Sequence, residues 1–164
     1  MIALVERMLA QRPSLSALWN VIRHLPNGPK LFFKLLGTMA PYTGTIDAEV
    51  RALETGHTEV VLKDGRRMRN HLGSVHAIAL MNLGEVATGL TMMYVIDGIG
   101  RGIITSLKMD YLKKARGEIT ATCDAHIPTT PGKHDVTIEA HLRDASGEIV
   151  ARATAVWRAS IVQK

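Results

Sequence analysis

Glu85 is the side chain in this sequence whose surroundings most clearly indicate chemistry. It is the only residue charged at neutral pH in the apolar stretch 77–96, and its neighbours Leu83 and Val86 cannot solvate it. An unpaired carboxylate is costly to bury, so this group requires a partner, a raised pKa or a water-filled cleft. Such a carboxylate is a candidate general base or nucleophile. A solvent-facing position and a structural ion pair with a strand arginine are the alternatives that the helix alone leaves open.

A second group of residues precedes the stretch that carries Glu85. The run Asn70-His-Leu-Gly-Ser-Val-His-Ala77 leads directly into it. The first turn of a helix has free N–H groups and the positive end of the helix dipole, which suit a developing oxyanion. Asn70 and His76 could add side-chain donors there. A structural interpretation also stays open, in which Ser74 or Asn70 caps the helix and His76 is a hydrogen-bonded core histidine.

These residues must be positioned by one long helix that lies between two groups of strands. The apolar stretch predicts a helix over about 75–96. Alternation of apolar and polar residues, with turn residues between the segments, predicts strands at 46–53, 58–63, 102–112, 118–127, 134–143 and 148–162. Because the long helix lacks a polar stripe, we expect the sheet to wrap around it, which predicts an α+β fold.

Residues 1–44 predict a helical extension in front of this domain. Apolar residues at spacings of three and four predict two short helices, and Pro26-Asn-Gly-Pro29 must break the chain between them. Residues 1–40 contain five basic residues and one acidic residue, whereas the net charge of the rest of the chain is nearly zero. We expect the extension to cover the core. An added dimer contact, and contact with an acidic partner or a lipid surface, are the alternatives.

Composition excludes several other classes of protein. The chain has 164 residues, of which 46% are hydrophobic and 21% charged, so it is long enough for one folded domain. Cys123 is the only cysteine and the histidines are scattered, so neither a disulfide nor a metal site is predicted. Aromatic residues make up only 4%, which argues against nucleic-acid binding. The first residues lack a signal-peptide pattern, and we expect a reduced, cytoplasmic protein.

The spacing of Asn70, Gly73, His76 and Glu85, N-x2-G-x2-H-x8-E, resembles that of the hotdog-fold acyl-CoA thioesterases of the phenylacetate-pathway type. Those enzymes carry N-x2-G-x2-H-G-G and then an Asp or Glu nine residues after the histidine. The run Tyr111-Leu-Lys-Lys-Ala-Arg-Gly117 is also similar to a strand end of that family, as is the last hairpin. The resemblance implies a hotdog domain over residues 45–164, with an antiparallel sheet wrapped around one long helix, behind the extension 1–44.

The resemblance also implies roles for individual residues. Glu85 would activate water or attack the thioester carbonyl, and the Ala77 amide would hold the carbonyl oxygen while His76 orients that turn. Asn70 would hold the water or the carbonyl. Gly73 belongs to the motif, and Thr105 or Ser106 could supply the hydroxyl that the family often places on the strand after the helix. The extension could then also cover an acyl tunnel.

Coenzyme A thioesters, or acyl groups on a carrier protein, are the implied substrates, and no cofactor is implied. The basic residues that could meet the phosphates of coenzyme A are Arg66, Arg67, Arg69, Lys113, Lys114 and Arg116, although a solvated rim needs no such function. Two departures indicate a divergent branch. Ala77-Ile78 stands where the family usually has Gly-Gly, and Lys113-Lys114 replaces Arg-Pro.

Helix geometry adds a prediction about assembly. Nine residues at about 100° each place His76 and Glu85 on opposite sides of one helix, roughly 13 Å apart along its axis. The two residues therefore require a second subunit to form one site, which agrees with the hotdog dimer and predicts a homodimer or a dimer of dimers.

Two alternative functions stay open. The first is a hydratase or dehydratase on the same fold, although the usual Asp-x4-His arrangement of those enzymes is not found. The second is a non-catalytic acyl-CoA-binding protein, for which the missing Gly-Gly is the best argument.

Overall fold

The structure is a computed structural model that describes residues 14–162. Its helices are α1 (Leu15–Ile22), α2 (Gly28–Met39) and α3 (Ala77–Val95), and short 3-10 turns lie at Thr43–Thr45 and Arg66–Met68. Its strands are β1 (Ala48–Glu54), β2 (His57–Leu62), β3 (Gly100–Tyr111), β4 (Ile119–Asp124), β5 (Gly132–Arg143) and β6 (Ile149–Ile161). The order of elements predicted from the sequence is confirmed, with bounds that differ by a few residues.

The strands form one antiparallel sheet in the order β1-β2-β4-β5-β6-β3. Strands β1 and β3 are the two edges of this sheet. The turn between β1 and β2 requires Gly56, which has φ +77° and whose Cβ position lies 2.7 Å from the Ala125 carbonyl oxygen. The sheet wraps around α3, so the α+β hotdog architecture is confirmed.

Helix α3 is apolar on all sides because the sheet surrounds it. It is long and apolar enough to cross a membrane by length and composition, but 61% of its most apolar window is buried inside the domain. Leu83, Ala87 and Met92 are fully buried. At Gly84 a Cβ atom would lie 2.5 Å from the Ala153 Cβ, so this glycine allows β6 to approach the helix closely. The hydrophobicity of α3 therefore serves core packing.

Helices α1 and α2 cover the core, as expected for the described part of the extension. Trp19, Ile22 and Phe32 are buried, and the Trp19 and Phe32 rings meet edge to face at 5.0 Å. Helix α1 is fixed to the end of α3 because the Ser16 N–H and hydroxyl donate to the Asp97 carboxylate at 2.7 and 2.6 Å. The extension is thus hydrogen-bonded to the turn that directly follows the helix carrying Glu85.

Candidate active site

Asn70 and Gly73 build the tight loop that precedes α3. The Asn70 side-chain oxygen accepts hydrogen bonds from the N–H groups of Leu72 at 2.9 Å and Ser74 at 3.2 Å. Gly73 has φ +68° with open space at its Cβ position, so its glycine is required by backbone conformation and not by crowding. The two residues therefore shape the loop that directs the chain into α3.

His76 is the N-cap of α3. Its backbone is extended, with φ −64° and ψ 138°, and its Nδ1 accepts a hydrogen bond from the Ile78 N–H at 3.1 Å. The imidazole ring is exposed, so His76 is not a core histidine. Neither Ser74 nor Asn70 caps the helix, since the Ser74 hydroxyl is buried without a hydrogen-bond partner in residues 14–162. Because Nδ1 accepts, the neutral form of the ring has its proton on Nε2, and Nε2 forms no hydrogen bond with any residue of the described range.

Ala77 is the first residue of α3, and its N–H has no hydrogen-bond partner among the described residues. Its carbonyl oxygen accepts a hydrogen bond from the Tyr111 hydroxyl at 2.9 Å. The Val75 N–H donates to the Ala115 carbonyl oxygen at 2.8 Å, which places the 111–117 run against the same helix start. The structure therefore places the run 111–117 beside the loop that precedes α3. The Ala77 N–H remains without a hydrogen-bond partner in the described residues.

Tyr111 lies at the candidate site but was not among the site residues predicted from the sequence. From the sequence, Tyr111 was noted only as the first residue of the 111–117 run that is similar to a strand end of the thioesterase family. An aromatic hydroxyl at a strand end is, however, a ready hydrogen-bond donor. Burial raises the pKa of its phenol. The hydroxyl therefore stays protonated at neutral pH and can fix the first turn of α3.

Glu85 lies elsewhere on α3, on the wall of a cavity of about 310 Å³. One wall of this cavity is the α3 face that contains Val86, Gly89 and Met93, and the opposite wall comes from the extension, with Leu36 and Met39. Burial raises the pKa of the Glu85 carboxyl, and no residue in the range 14–162 forms an ion pair or hydrogen bond with its side chain. A structural ion pair for Glu85 therefore lacks support in the described residues, and the side chain is only partly exposed.

Gly89 and Trp157 determine the room around the Glu85 carboxylate. A Cβ at Gly89 would lie 3.1 Å from the Trp157 ring and 3.7 Å from Glu85 Oε1. The Trp157 indole N–H donates to the Thr88 hydroxyl at 3.3 Å, and that hydroxyl donates to the Glu85 backbone carbonyl at 3.0 Å. Sequence reasoning missed Trp157, and its inward-facing position in the alternating strand β6 was the available signal.

His76 and Glu85 line different cavities in one chain, as helix geometry predicts. The cavity beside His76 has a volume of about 350 Å³ and shares no lining residue with the Glu85 cavity. Asn82, buried between them on α3, donates through its side-chain amide to the Tyr42 carbonyl oxygen at 3.1 Å. This bond holds the segment 41–46 against α3. His76 and Glu85 therefore do not meet within a single chain.

The hydroxyl candidates lie on the edge strand β3. Thr105 is the bulged residue between Ile104 and Ser106, which both pair with β6, and its hydroxyl donates to the Val156 carbonyl oxygen at 3.1 Å. Thr105 and Ser106 are both exposed, and neither lines the Glu85 cavity. A role for either residue in one chain's own Glu85 cavity is therefore not supported by its position.

The basic residues of the 111–117 run lie beside the start of α3. Lys113 is ion-paired with Glu148. Lys114 and Arg116 are exposed and form no ion pair with any residue in the described range 14–162. In the same range, no three His, Cys, Asp or Glu side chains are grouped as metal ligands would be.

Solved structures share this fold. The crystal structure described as genomics APC5556 is 27% identical, with a TM-score of 0.78, and the match covers 90% of this chain and 99% of that one. A protein of unknown function from Pseudomonas aeruginosa, PA5026, described as a probable thioesterase, is 22% identical with a TM-score of 0.70, and the match covers 84% of this chain and 97% of that one.

A hypothetical thioesterase protein from Streptococcus pneumoniae TIGR4, crystallised with coenzyme A, is 18% identical with a TM-score of 0.59. That match covers 71% of this chain and 91% of the streptococcal one. No curated protein sequence matches the chain. Residues 28–159 match a family that is defined by sequence, and this range includes α2, α3 and most of the sheet. The chain therefore belongs to the family described as Domain of unknown function (DUF4442).

Proposed function

We propose that this protein hydrolyses acyl thioesters of coenzyme A or of an acyl carrier protein. The observation that carries the proposal is the Glu85 carboxylate, half-buried and without an ion pair in the described residues, on the wall of an apolar cavity. Ligand pockets are typically apolar with a few placed polar groups, and an acyl chain with a reactive carbonyl at one end matches this one. Two proteins of the same fold support the reaction class, since one is described as a probable thioesterase and another as a hypothetical thioesterase with coenzyme A.

In the proposed reaction, the ionised Glu85 takes a proton from water as the water oxygen attacks the thioester carbonyl carbon. The carbonyl oxygen becomes an oxyanion, which the free Ala77 N–H at the start of α3 stabilises. The carbon–sulfur bond then breaks, and the leaving thiolate receives the proton from Glu85, which yields a carboxylic acid and a thiol. Direct attack by the carboxylate, with hydrolysis of the resulting anhydride, uses the same two groups. The substrate is the thioester itself, and the reaction uses no cofactor.

We further propose that the active unit is a homodimer or a dimer of dimers in which the two groups come from different chains. Within one chain, His76, which directly precedes Ala77, and Glu85 line separate cavities, so a second copy must supply the missing donor. The edge strand β3 offers a surface for this copy, because it is long, lacks a partner on one side in the described residues and exposes Ile103. In such a dimer the helix start of one chain faces Glu85 of the other.

A panel of acyl-CoA substrates with a free-thiol reagent tests the reaction. Thiol release that is lost in Glu85→Gln supports hydrolysis. A change in enoyl absorbance without thiol release would identify a hydratase or dehydratase instead, and tight binding without either signal would identify a non-catalytic binding protein.

Ala77→Pro tests the backbone donor with little risk to the fold. Proline is favoured at the first position of a helix, and the preceding residue, His76, already has the extended conformation that proline requires. The substitution therefore removes only the proposed donor, and we expect turnover to fall on the order of 10²–10³-fold with an unchanged circular dichroism spectrum.

Mixed dimers of Ala77→Pro and Glu85→Gln chains test whether the site is shared. Each mixed dimer would contain one intact site, so random exchange should restore up to about a quarter of the parental activity. No recovery after proven subunit exchange would contradict the shared site.

A further inference from the structure

A groove of about 690 Å³ runs between α2 and the 3-10 turn Arg66–Met68, away from Glu85. Lys30 and Lys34 lie on one wall, on a single face of α2, and Lys63, Arg66 and Arg67 lie on the other. We call it the basic groove. Its floor is apolar, with the buried side chains Phe33, Ile46 and Met68.

Part of this positive charge is already neutralised. Lys30 is ion-paired with Asp47 at 3.3 Å, and Lys63 is ion-paired with Glu49 at 3.2 Å and Glu118 at 2.9 Å. These pairs fix the two lysines in the walls and leave them little charge for a ligand.

Three cations in the basic groove remain uncompensated. Lys34, Arg66 and Arg67 are exposed, and no carboxylate in residues 14–162 forms an ion pair with any of them. Arg69 in the same segment is different, since Asp64 holds it through two hydrogen bonds at 2.9 and 2.5 Å. The uncompensated cations therefore come from both walls of the groove, and a ligand with more than one negative charge would satisfy them.

The basic groove adjoins the cavity beside His76. The two spaces share the lining residues Thr45, Ile46, Arg67 and Met68. A ligand that spans both spaces, with its carbonyl near the start of α3, would pass beside Arg67. The exposed Lys114 and Arg116 lie beside the same helix start but line neither space.

We propose that the basic groove binds the phosphate groups of the thiol carrier that delivers the acyl group. The identity of the carrier rests on the proposed function, whereas phosphate binding in the groove does not. Guanidinium groups bind phosphate oxygens in bidentate geometry, and the apolar floor can contact an uncharged part of the ligand. Coenzyme A and the phosphopantetheine arm of a carrier protein share this phosphate chemistry.

Calorimetric titration of the full-length protein with adenosine 3′,5′-bisphosphate and with pyrophosphate tests the site directly. The variant pair Lys34→Gln and Arg67→Gln, combined in one chain, removes one uncompensated cation from each wall. We expect it to weaken binding by at least about tenfold and to reduce the dependence of affinity on salt. Lys133→Gln is the matched control, because Lys133 is exposed on β5 outside the groove, and its affinity should stay within about twofold of the parent.

A second variant pair, Lys114→Gln with Arg116→Gln, tests the competing basic group. If this pair weakens binding and the groove pair does not, the phosphates lie beside the 111–117 run and the proposal is wrong. Unchanged binding in the groove pair, with an unchanged melting temperature, overturns it as well.

Kinetics then identify the source of the phosphate. For the groove pair, we expect the KM for acyl-CoA to rise with little change in kcat, because the groove is remote from the reacting bond. If the KM for acyl-phosphopantetheine rises equally, the groove holds the pantetheine phosphate; if it does not change, the groove holds the nucleotide phosphates. An equal rise for acyl-pantetheine, which lacks phosphate, contradicts the proposal.

The two proposals can fail separately. A parent protein that releases thiol from no thioester, yet binds the bisphosphate in a groove-dependent way, refutes the proposed function and retains the groove. A parent protein that hydrolyses acyl-CoA with no effect of the groove pair on affinity or KM retains the function and refutes the groove.

Discussion

Glu85→Gln should raise the stability of the protein at neutral pH while it removes most of the activity. The carboxylate is half-buried, burial raises its pKa, and no described residue forms a hydrogen bond or ion pair with it. Burying an unpaired carboxylate costs more than burying a neutral amide of the same shape, and we take this difference as about 1 kcal/mol because the side chain is partly exposed. For a chain of this length, 1 kcal/mol corresponds to a rise of roughly 2–4 °C in Tm.

The stability gain should depend on pH in a defined direction. Since the folded pKa of Glu85 is raised above its ordinary value of 4.5, the folded state binds the proton more tightly than the unfolded state. The stabilisation from this proton is fully present below that ordinary value and is lost as the pH rises through the folded pKa. The parent and the Gln variant should therefore melt at similar temperatures at about pH 4 and diverge towards neutral pH.

Thermal melting and steady-state kinetics on the same samples check both parts of this prediction. If Glu85 is the base, turnover should fall on the order of 10²–10⁴-fold in the Gln variant, and the activity of the parent should rise with pH as the carboxylate ionises. Glu85→Asp should keep part of the activity. Glu54→Gln is the matched control, because Glu54 is exposed and its substitution removes the same charge. A Gln variant that melts below the parent at neutral pH, or that keeps turnover within a few-fold, would refute the reasoning.

Three further substitutions test the surroundings of the two cavities. Gly89→Ala places a methyl group 3.1 Å from the Trp157 ring, so the preference of the enzyme should shift to smaller acyl groups in a chain-length assay with little loss of fold. Tyr111→Phe removes the 2.9 Å hydrogen bond to the Ala77 carbonyl oxygen, and turnover should fall by up to about tenfold with a nearly unchanged Tm. Ser16→Ala removes the 2.6 Å hydrogen bond to the carboxylate at the end of α3, and hydrogen exchange in α1 should become faster with a loss of about 1 kcal/mol. Slower turnover on every chain length for Gly89→Ala, full activity for Tyr111→Phe, or unchanged exchange for Ser16→Ala would each contradict the corresponding role.

Much of the fold could be predicted from the sequence because local patterns and tertiary packing agree here. Strand β6 alternates from Ala151 to Ile161, and its inward positions there are the buried ones. Helix α3 shows no polar stripe, and the sheet does enclose it. The start of α3 was placed two residues early, because several polar residues near Ser74 could have capped the helix and only the backbone geometry of His76 decides between them.

The candidate site was predictable in its residue types but less so in its arrangement. The apolar neighbours of Glu85 in sequence marked it as a candidate, but they left a solvent-facing position and a structural ion pair open. The hydrogen bond from Tyr111 to Ala77 was not predictable, because it joins residues 34 positions apart and depends on how β3 ends beside the helix. The hydrogen bond from Asn82 to Tyr42 was not predictable either, because it joins residues 40 positions apart. This bond holds the segment that lies between the two cavities.

The position of the extension bears on how substrate choice and chemistry are divided in this protein. Glu85 and Gly89 stand on α3, whose other faces pack against the sheet, so this wall of the cavity can change little without a loss of packing. The opposite wall comes from α1 and α2, where Leu36 is only partly buried and Met39 is exposed. Substitutions there would alter the space proposed for the acyl group and leave the carboxylate in place. Under the proposed function, we therefore expect specificity to depend mainly on the extension and catalysis to depend on α3.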